Sequence, residues 1–169
     1  MIIKTKGFTI RPWKTGDEKY LVEAANNPKI SRNMIDSFSY PYTLKVAMRW
    51  IKKANSKGMN NFAIVINGTP SGGIGFDIGS GNHSKRATFG YWLSEEYWGK
   101  GIVSKAAKLV CNYAFKNFDL ARIEANVYPW NPASQRVLIK CGFKKEGVLR
   151  NNCIKDGKVV DEIIFSKIR

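Results

Sequence analysis

The sequence predicts a mixed α/β fold in which a predominantly antiparallel central sheet is flanked by helices. Three observations lead there. The hydrophobic period switches between about 3.6 and 2 in the order strand, helices, strand meander, helix, strand, helix, strand pair. The dipeptides Asn67-Gly68 and Asp156-Gly157 are turn signals of the kind that join neighbouring antiparallel strands. No repeat, linker or low-complexity tract divides the chain, so residues 1–169 are expected to form one domain.

Taken in order, FTIRPW from Phe8 to Trp13 alternates apolar and polar side chains as a strand does. TGDEKYLVEAANNP then carries Thr15 and Glu18 at capping-box spacing and stops before Pro28, which predicts a helix. In YTLKVAMRWIKKANSKG, Thr43 is the predicted N-cap, Leu44, Ala47, Met48, Ile51 and Ala54 form the apolar stripe, and Gly58 is the stop. FAIVI and GGIGFDI flank Asn67-Gly68, and RATFGYWL sets Ala87, Phe89, Tyr91 and Leu93 against Thr88, Gly90 and Trp92. Three consecutive antiparallel strands follow from that. After Gly101 the period is helical again, with Ile102, Ala106, Val110 and Ala114 on one face and Lys105, Lys108, Asn112 and Lys116 on the other. RIEANV is a strand with Ile123, Ala125 and Val127 on one face and Arg122, Glu124 and Asn126 on the other. Asn131 caps, Pro132 opens and Gly142 closes a helix, and KDGKVVDEIIF ends the chain as two strands joined at Asp156-Gly157.

Composition narrows the function classes. With 28 Lys and Arg against 13 Asp and Glu, the formal net charge is +15, a field that draws anionic partners. Nucleic acid, a ribosome, an acidic protein and a polyphosphate cofactor all fit it, and so does a solubility role with no partner. No apolar run approaches the roughly 20 residues of a membrane span, and MIIKTKGFTI has no signal-peptide core or cleavage site. A cytoplasmic protein without membrane contact is expected. Cys111, Cys141 and Cys153 are odd in number and lack CxxC spacing, so reduced thiols are expected rather than a disulfide framework or zinc site. The single histidine, His83, lies in the turn-rich GSGNHSK and reads as a solvated loop residue. Catalytic triads, Cys-His dyads and His-rich metal centres are hard to build from it, and no metal is expected.

The stretch YWGKGIVSKA carries chemistry. A strand ending at Leu93, a turn through Trp98, Gly99, Lys100 and Gly101, and a helix start together leave backbone N–H groups unpaired and pointing outward. Glycine lets a phosphate approach the backbone, the helix dipole adds roughly half a positive charge, and Lys100 and Lys105 add more. Pyrophosphate is the natural occupant. The stretch is neither GxxxxGK[ST] nor GxGxxG, so nucleoside-triphosphate and dinucleotide folds are not indicated, and an ordinary strand-to-helix connection stays open.

Several motifs in order resemble the GNAT acyl-CoA N-acetyltransferases, and within them the RimJ/RimL-type branch that acetylates protein N-termini. They are Gly90 to Leu93, Tyr97 to Gly101, and Asn131, Ser134, Lys140, Gly142, Phe143, Glu146, Gly147, Leu149 and Arg150. The resemblance covers nearly the whole chain. It implies the GNAT fold and acetyl-CoA or coenzyme A as co-substrate, with the pyrophosphate at Trp98, Gly99, Lys100, Gly101, Ile102, Val103 and Ser104. Trp98 and Val103 stand where the wider family carries Gln or Arg and a small residue. The pantetheine arm is then expected to pair with backbone at Trp92, Leu93 and Ser94, in a gap between that strand and RIEANV, where an N–H meets the thioester carbonyl. Asn131 is implied to hold the pantetheine amide and Ser134 to protonate the departing thiolate, although both also suit a helix start.

For the base the resemblance implies Glu124, acting through water, against the alternative of a carboxylate paired with Arg122, Arg136 or a lysine. Leu138 stands where other branches carry a general-acid tyrosine, and Cys153 where RimL-type enzymes carry a catalytic glutamate, so neither role carries over. Phe38, Tyr40 and Tyr42 either line an acceptor site or anchor a loop. The expected acceptor is a protein N-terminal amine. A polyamine or aminoglycoside acetyltransferase, and a silent relative binding RNA or ribosome, remain as alternatives, as do monomer and homodimer.

Overall fold

The computed structural model describes residues 1–169. Eight strands form one sheet: β1 (Ile3–Lys4), β2 (Thr9–Pro12), β3 (Asn60–Ile66), β4 (Thr69–Ile78), β5 (Arg86–Leu93), β6 (Arg122–Val127), β7 (Lys144–Lys155) and β8 (Lys158–Ile168). Their spatial order is β1-β2-β3-β4-β5-β6-β8-β7. Every neighbouring pair is antiparallel except β5 and β6, which run parallel. The five helices are α1 (Glu18–Ala25), α2 (Pro28–Ser31), α3 (Leu44–Ala54), α4 (Ile102–Asn117) and α5 (Pro132–Lys140).

Hairpin chemistry sets the long runs of pairing. Asn67 and Gly68 adopt φ of 50° and 83°, and Asp156 and Gly157 adopt 49° and 75°, the positive values a two-residue turn needs. Both faces of the sheet are covered, which is why β3 and β4 read as continuous apolar runs. One face holds α4 and α5 over Phe76, Phe89, Ile123 and Phe165, with Val110 and Leu138 wholly buried between helix and sheet. On the other, α1, α2 and α3 bury Leu21, Ile30 and Ile51 against Ala63, Val65 and Trp92. Truncating Leu138 to Ala would cost about 2–5 kcal/mol.

Four local expectations change. The capping box at Thr15 does not form: α1 begins at Glu18 behind Asp17, whose carboxylate accepts from Arg11 at 2.7 and 2.9 Å. The Arg11 guanidinium outcompetes a helix amide for that carboxylate, while Glu18 accepts from the Gly16 N–H at 2.7 Å. Gly58 does not stop α3, which ends at Ala54 with Asn55 as cap; Gly58 turns the chain into β3 instead. Pro28 opens the short α2 rather than only ending α1, with Asn27 accepting from the Lys29 N–H at 2.8 Å. The two-residue strand β1 lies outside the expected elements. Thr43 and Asn131 do cap α3 and α5, accepting from the N–H of Val46 and Ser134.

Candidate functional site: an open seam between two parallel strands

The parallel pair stops early. β5 and β6 share only the rungs Arg86↔Arg122, Ala87↔Ile123 and Thr88↔Glu124, and past them the strands part. Which backbone groups face the seam follows from the β4–β5 register. Gly79 donates to Arg86 and Ser94 donates to Ser71, so residues 86, 88, 90, 92 and 94 turn their N–H and C=O toward β4. Tyr91 and Leu93 therefore face the seam. Trp92 and Ser94 do not, which corrects the expected pairing at those two residues: the Ser94 N–H is taken by Ser71 at 2.8 Å, and the Trp92 side chain packs under α1–α3 beside Phe38. Gly72 and Gly73 allow this, since a Cβ on Gly73 would lie 2.5 Å from the Trp92 indole nitrogen. On the facing strand the same alternation turns Asn126 toward the seam, because Arg169 donates to Ala121 at the far end of the β6–β8 ladder.

At the open end of the seam the chain makes the glycine turn. Gly99 and Gly101 have φ of 74° and 72°, a left-handed conformation that costs other residues about 1–2 kcal/mol each. Gly101 is the N-cap of α4 and carries no side chain to bind the first amides. Lys105 donates to Gly101 at 3.1 Å, which leaves the N–H groups of Ile102, Val103 and Ser104 without intrahelical partners. Nothing lies within 4 Å of a Cβ built on Gly99 or Gly101, so the space above them is open. The Trp98 indole donates to the Leu93 carbonyl at 2.8 Å and ties the turn to the end of β5. Lys100 and Lys105 rest over the rings of Tyr97 and Phe8, and neither is paired with a carboxylate. Donors, dipole and cations converge on one open patch that fits a pyrophosphate, and the seam leading from it fits an extended pantetheine arm.

The α5 side of the seam carries the hydroxyls. Asn131 uses Oδ1 to accept from the Ser134 N–H at 3.1 Å and keeps its amide Nδ2 for another acceptor. The hydroxyl of Ser134 lies 2.7 Å from that of Tyr91, which also donates to the Ser134 carbonyl at 3.2 Å. Burial pushes the Tyr91 phenol up, so it remains a neutral hydroxyl. Nothing in the local sequence pairs these two residues; Tyr91 reads simply as an inward strand position.

The opposite face of the seam holds the carboxylates. Glu124 is buried at the last shared rung and paired twice, with Arg122 Nε at 2.9 Å and Arg86 Nη1 at 3.3 Å. It faces an open depression of ≈ 440 Å³ at the amino ends of β5 and β6, lined also by Asn82, His83 and Lys85. Of the two expectations for Glu124, the ion-paired carboxylate is the one the geometry favours, with Arg86 reaching across from β5; Arg136 takes no part in an ion pair. Arg122 also holds Glu146, whose carboxyl it draws down to about 2. Of the aromatic trio, Tyr42 is buried with its ring tilted against that of Phe38 at 4.9 Å, while Tyr40 is exposed. Glu162 on β8 carries no local motif that marks it in the sequence. Its Oε2 accepts from Asn126 at 3.0 Å and from Asn152 at 2.6 Å, and no Lys or Arg pairs with it.

A family profile described as an acetyltransferase (GNAT) domain matches residues 8–144. The YoaA protein of Bacillus subtilis, named an N-acetyltransferase, is 34% identical over 99% of this chain and 97% of its own. The spermidine N(1)-acetyltransferase of Escherichia coli K12 is 28% identical over 88% of this chain and 79% of its own. A solved structure of RimL, a ribosomal-protein alpha-N acetyltransferase in complex with coenzyme A, superposes with a TM-score of 0.87 at 20% identity, covering 99% of this chain and 98% of that one.

Proposed function

This chain belongs to the GNAT acetyltransferase family, and we propose that the amine it acetylates is a protein N-terminal α-amine, in the cytoplasm. It is an N-acetyltransferase that uses acetyl-CoA as co-substrate. The observation that carries the site assignment is the seam, three rungs of parallel pairing that end in an uncapped glycine turn. Acetyl-CoA supplies an activated acetyl thioester. The amides of Ile102, Val103 and Ser104, with Lys100 and Lys105, hold its pyrophosphate at Gly99 and Gly101. The Leu93 N–H, free because β4 pairs with its neighbours, is the donor for the carbonyl oxygen, and such a donor is worth on the order of 3 kcal/mol in the transition state. Asn131 offers Nδ2 to a pantetheine carbonyl. Ser134, held by Tyr91, protonates the leaving sulfur.

Charge favours an N-terminus over a polyamine. A polyamine carries several ammonium groups and needs several free carboxylates. Around this seam Asp36, Glu95 and Glu124 are already held by Lys155, Lys29 and the two arginines, and the net charge of +15 repels a polycation. The same field suits an acceptor protein bound to RNA, such as a ribosomal one. Free-thiol release from acetyl-CoA, measured across peptides with free or formylated N-termini, spermidine and an aminoglycoside, tests the proposal. Release is expected with the free peptides alone. Turnover of spermidine or the aminoglycoside with no peptide turned over would overturn it.

A further inference from the structure

We propose that Glu162 is the carboxylate that receives the acceptor's ammonium group and takes its proton. Three observations on the molecule carry this, and the inference rests on the acetyltransferase reading above. The first is placement. Asn126 is the first residue of β6 past the shared rungs that turns toward the seam, and its amide donates to Glu162 Oε2 at 3.0 Å. Glu162 thus stands one strand back from the seam, next to Asn126 at the level where the strands have opened and on the face opposite α4 and α5, whereas Glu124 stands where they are still joined.

The second is the way the carboxylate is held. Asn126 and Asn152 both donate to Oε2 and the Cys153 thiol also donates to the carboxylate, neutral donors that fix the group without neutralising it. Asn152 is aimed there by an irregularity in β7: between the partners Leu149↔Glu162 and Cys153↔Val160 the strand carries extra residues, and Asn151 adopts a φ of 51°. Bulges of this kind recur beside active sites because they redirect a side chain.

The third is the missing cation. Glu124 on β6 and Glu146 on β7 are each held by arginine, whereas Glu162, partly buried on the strand between them, pairs with none of the chain's 28 basic residues. The charged and titratable groups around it confirm the vacancy. Lys155 of β7 is bound to Asp36, from the α2–α3 connection, at 2.8 Å and to Asp156 at 3.0 Å. Tyr128 of β6, pushed up to about 12 chiefly by burial, and Cys153 of β7, also pushed up by burial, are neutral at pH 7. An incoming ammonium is the cation this corner lacks.

The protons and electrons balance. Glu162 takes one proton from the ammonium and the freed nitrogen lone pair forms the new N–C bond at the thioester carbon. The C–S electron pair leaves on sulfur, which takes the Ser134 proton. The nitrogen, positively charged after attack, loses a second proton to solvent, Ser134 regains one from solvent through Tyr91, and Glu162 releases its own. The sum is ammonium plus thioester giving amide, thiol and one proton.

The test uses the amine that gives the fastest thiol release in the panel above. For Glu162→Gln, which keeps both asparagine contacts, the rate should fall about 100-fold at pH 7, and the deficit should shrink as pH rises toward the acceptor's own pKa. Calorimetry with coenzyme A bound should show the acceptor held at least tenfold more weakly and coenzyme A held as in wild type. Glu124→Gln should instead lower the melting temperature and leave the shape of the pH profile as it was. Wild-type rates in Glu162→Gln, or a deficit constant across pH, would overturn the role of Glu162 while leaving the acetyltransferase reading intact. A panel in which wild type acetylates nothing would overturn both.

Discussion

Replacing Gly101 with Glu sets two physical effects against each other in a way that separates binding from folding. The residue sits at φ 72°, so a side chain costs about 1–2 kcal/mol in backbone strain. A carboxylate at a helix N-terminus returns roughly 0.3–1 kcal/mol by facing the dipole, and nothing within 4 Å of the built Cβ obstructs it. The net cost is about 1 kcal/mol, a shift of roughly 2–4 °C in Tm for a protein of this size. Coenzyme A meets a different balance. A negative charge about 4 Å from the pyrophosphate costs about 4 kcal/mol at an effective dielectric of 20, close to a thousandfold in affinity. Titration calorimetry with coenzyme A and a thermal melt of the same sample check both numbers, with Gly101→Ala separating strain from charge. Affinity of the glutamate variant within threefold of wild type would show that the pyrophosphate is bound elsewhere.

Ser134→Ala and Tyr91→Phe should each slow acetyl transfer by roughly 10- to 100-fold with unchanged coenzyme A affinity, and the double variant should be no slower than Ser134→Ala alone, as steady-state rates would show. Glu146, drawn down to about 2 by Arg122, contributes stability that is complete above its unfolded value near 4.5 and is lost as pH falls toward 2; melting curves from pH 6 to 2 should therefore slope less in Glu146→Gln. Acetyl-CoA affinity should depend weakly on salt, because the ligand has few charges and many neutral contacts; an RNA contact would lose affinity at about 0.7–0.9 log unit per log unit of salt for each phosphate neutralised. Binding measured from 50 to 300 mM salt distinguishes the two.

What the sequence makes legible is what a few neighbouring residues decide. Gly99 and Gly101 announce a left-handed turn, Thr43 and Asn131 announce caps, and Asn67-Gly68 and Asp156-Gly157 announce hairpins, because each conformation has few residue types that tolerate it. Pro28 misleads for the same local reason, since proline ends one helix and opens the next with equal ease. The proton-handling groups depend on distance along the chain. Tyr91 meets Ser134 across 43 positions, and Asn126 meets Glu162 across 36. The first exists only once α5 has packed behind β5, and the second only once β8 has inserted between β6 and β7, arrangements that no short window encodes. Glu124 shows the same limit from the other side: its polar strand face was legible, but Arg86 arrives from a strand whose parallel pairing was not.

An unfinished ladder is an instability that the fold has to hold open. Two parallel strands with free N–H and C=O groups facing one another would gain by closing, and unsatisfied backbone groups are costly wherever water is excluded. Four contacts oppose closure here. The Trp98 indole takes the Leu93 carbonyl, the Asn131 N–H takes the Tyr128 carbonyl, the Tyr91–Ser134 pair places α5 behind the seam, and Asn126 is drawn toward β8 by Glu162. Each engages a group at the margin of the seam with something other than the opposite strand. The groups they leave over, the N–H of Tyr91 and Leu93 and the backbone of Asn126, are those an extended amide-bearing chain can pair with. Binding an arm of alternating amides then completes hydrogen bonding that the protein cannot complete alone, so affinity for the arm and incompleteness of the sheet have one physical origin.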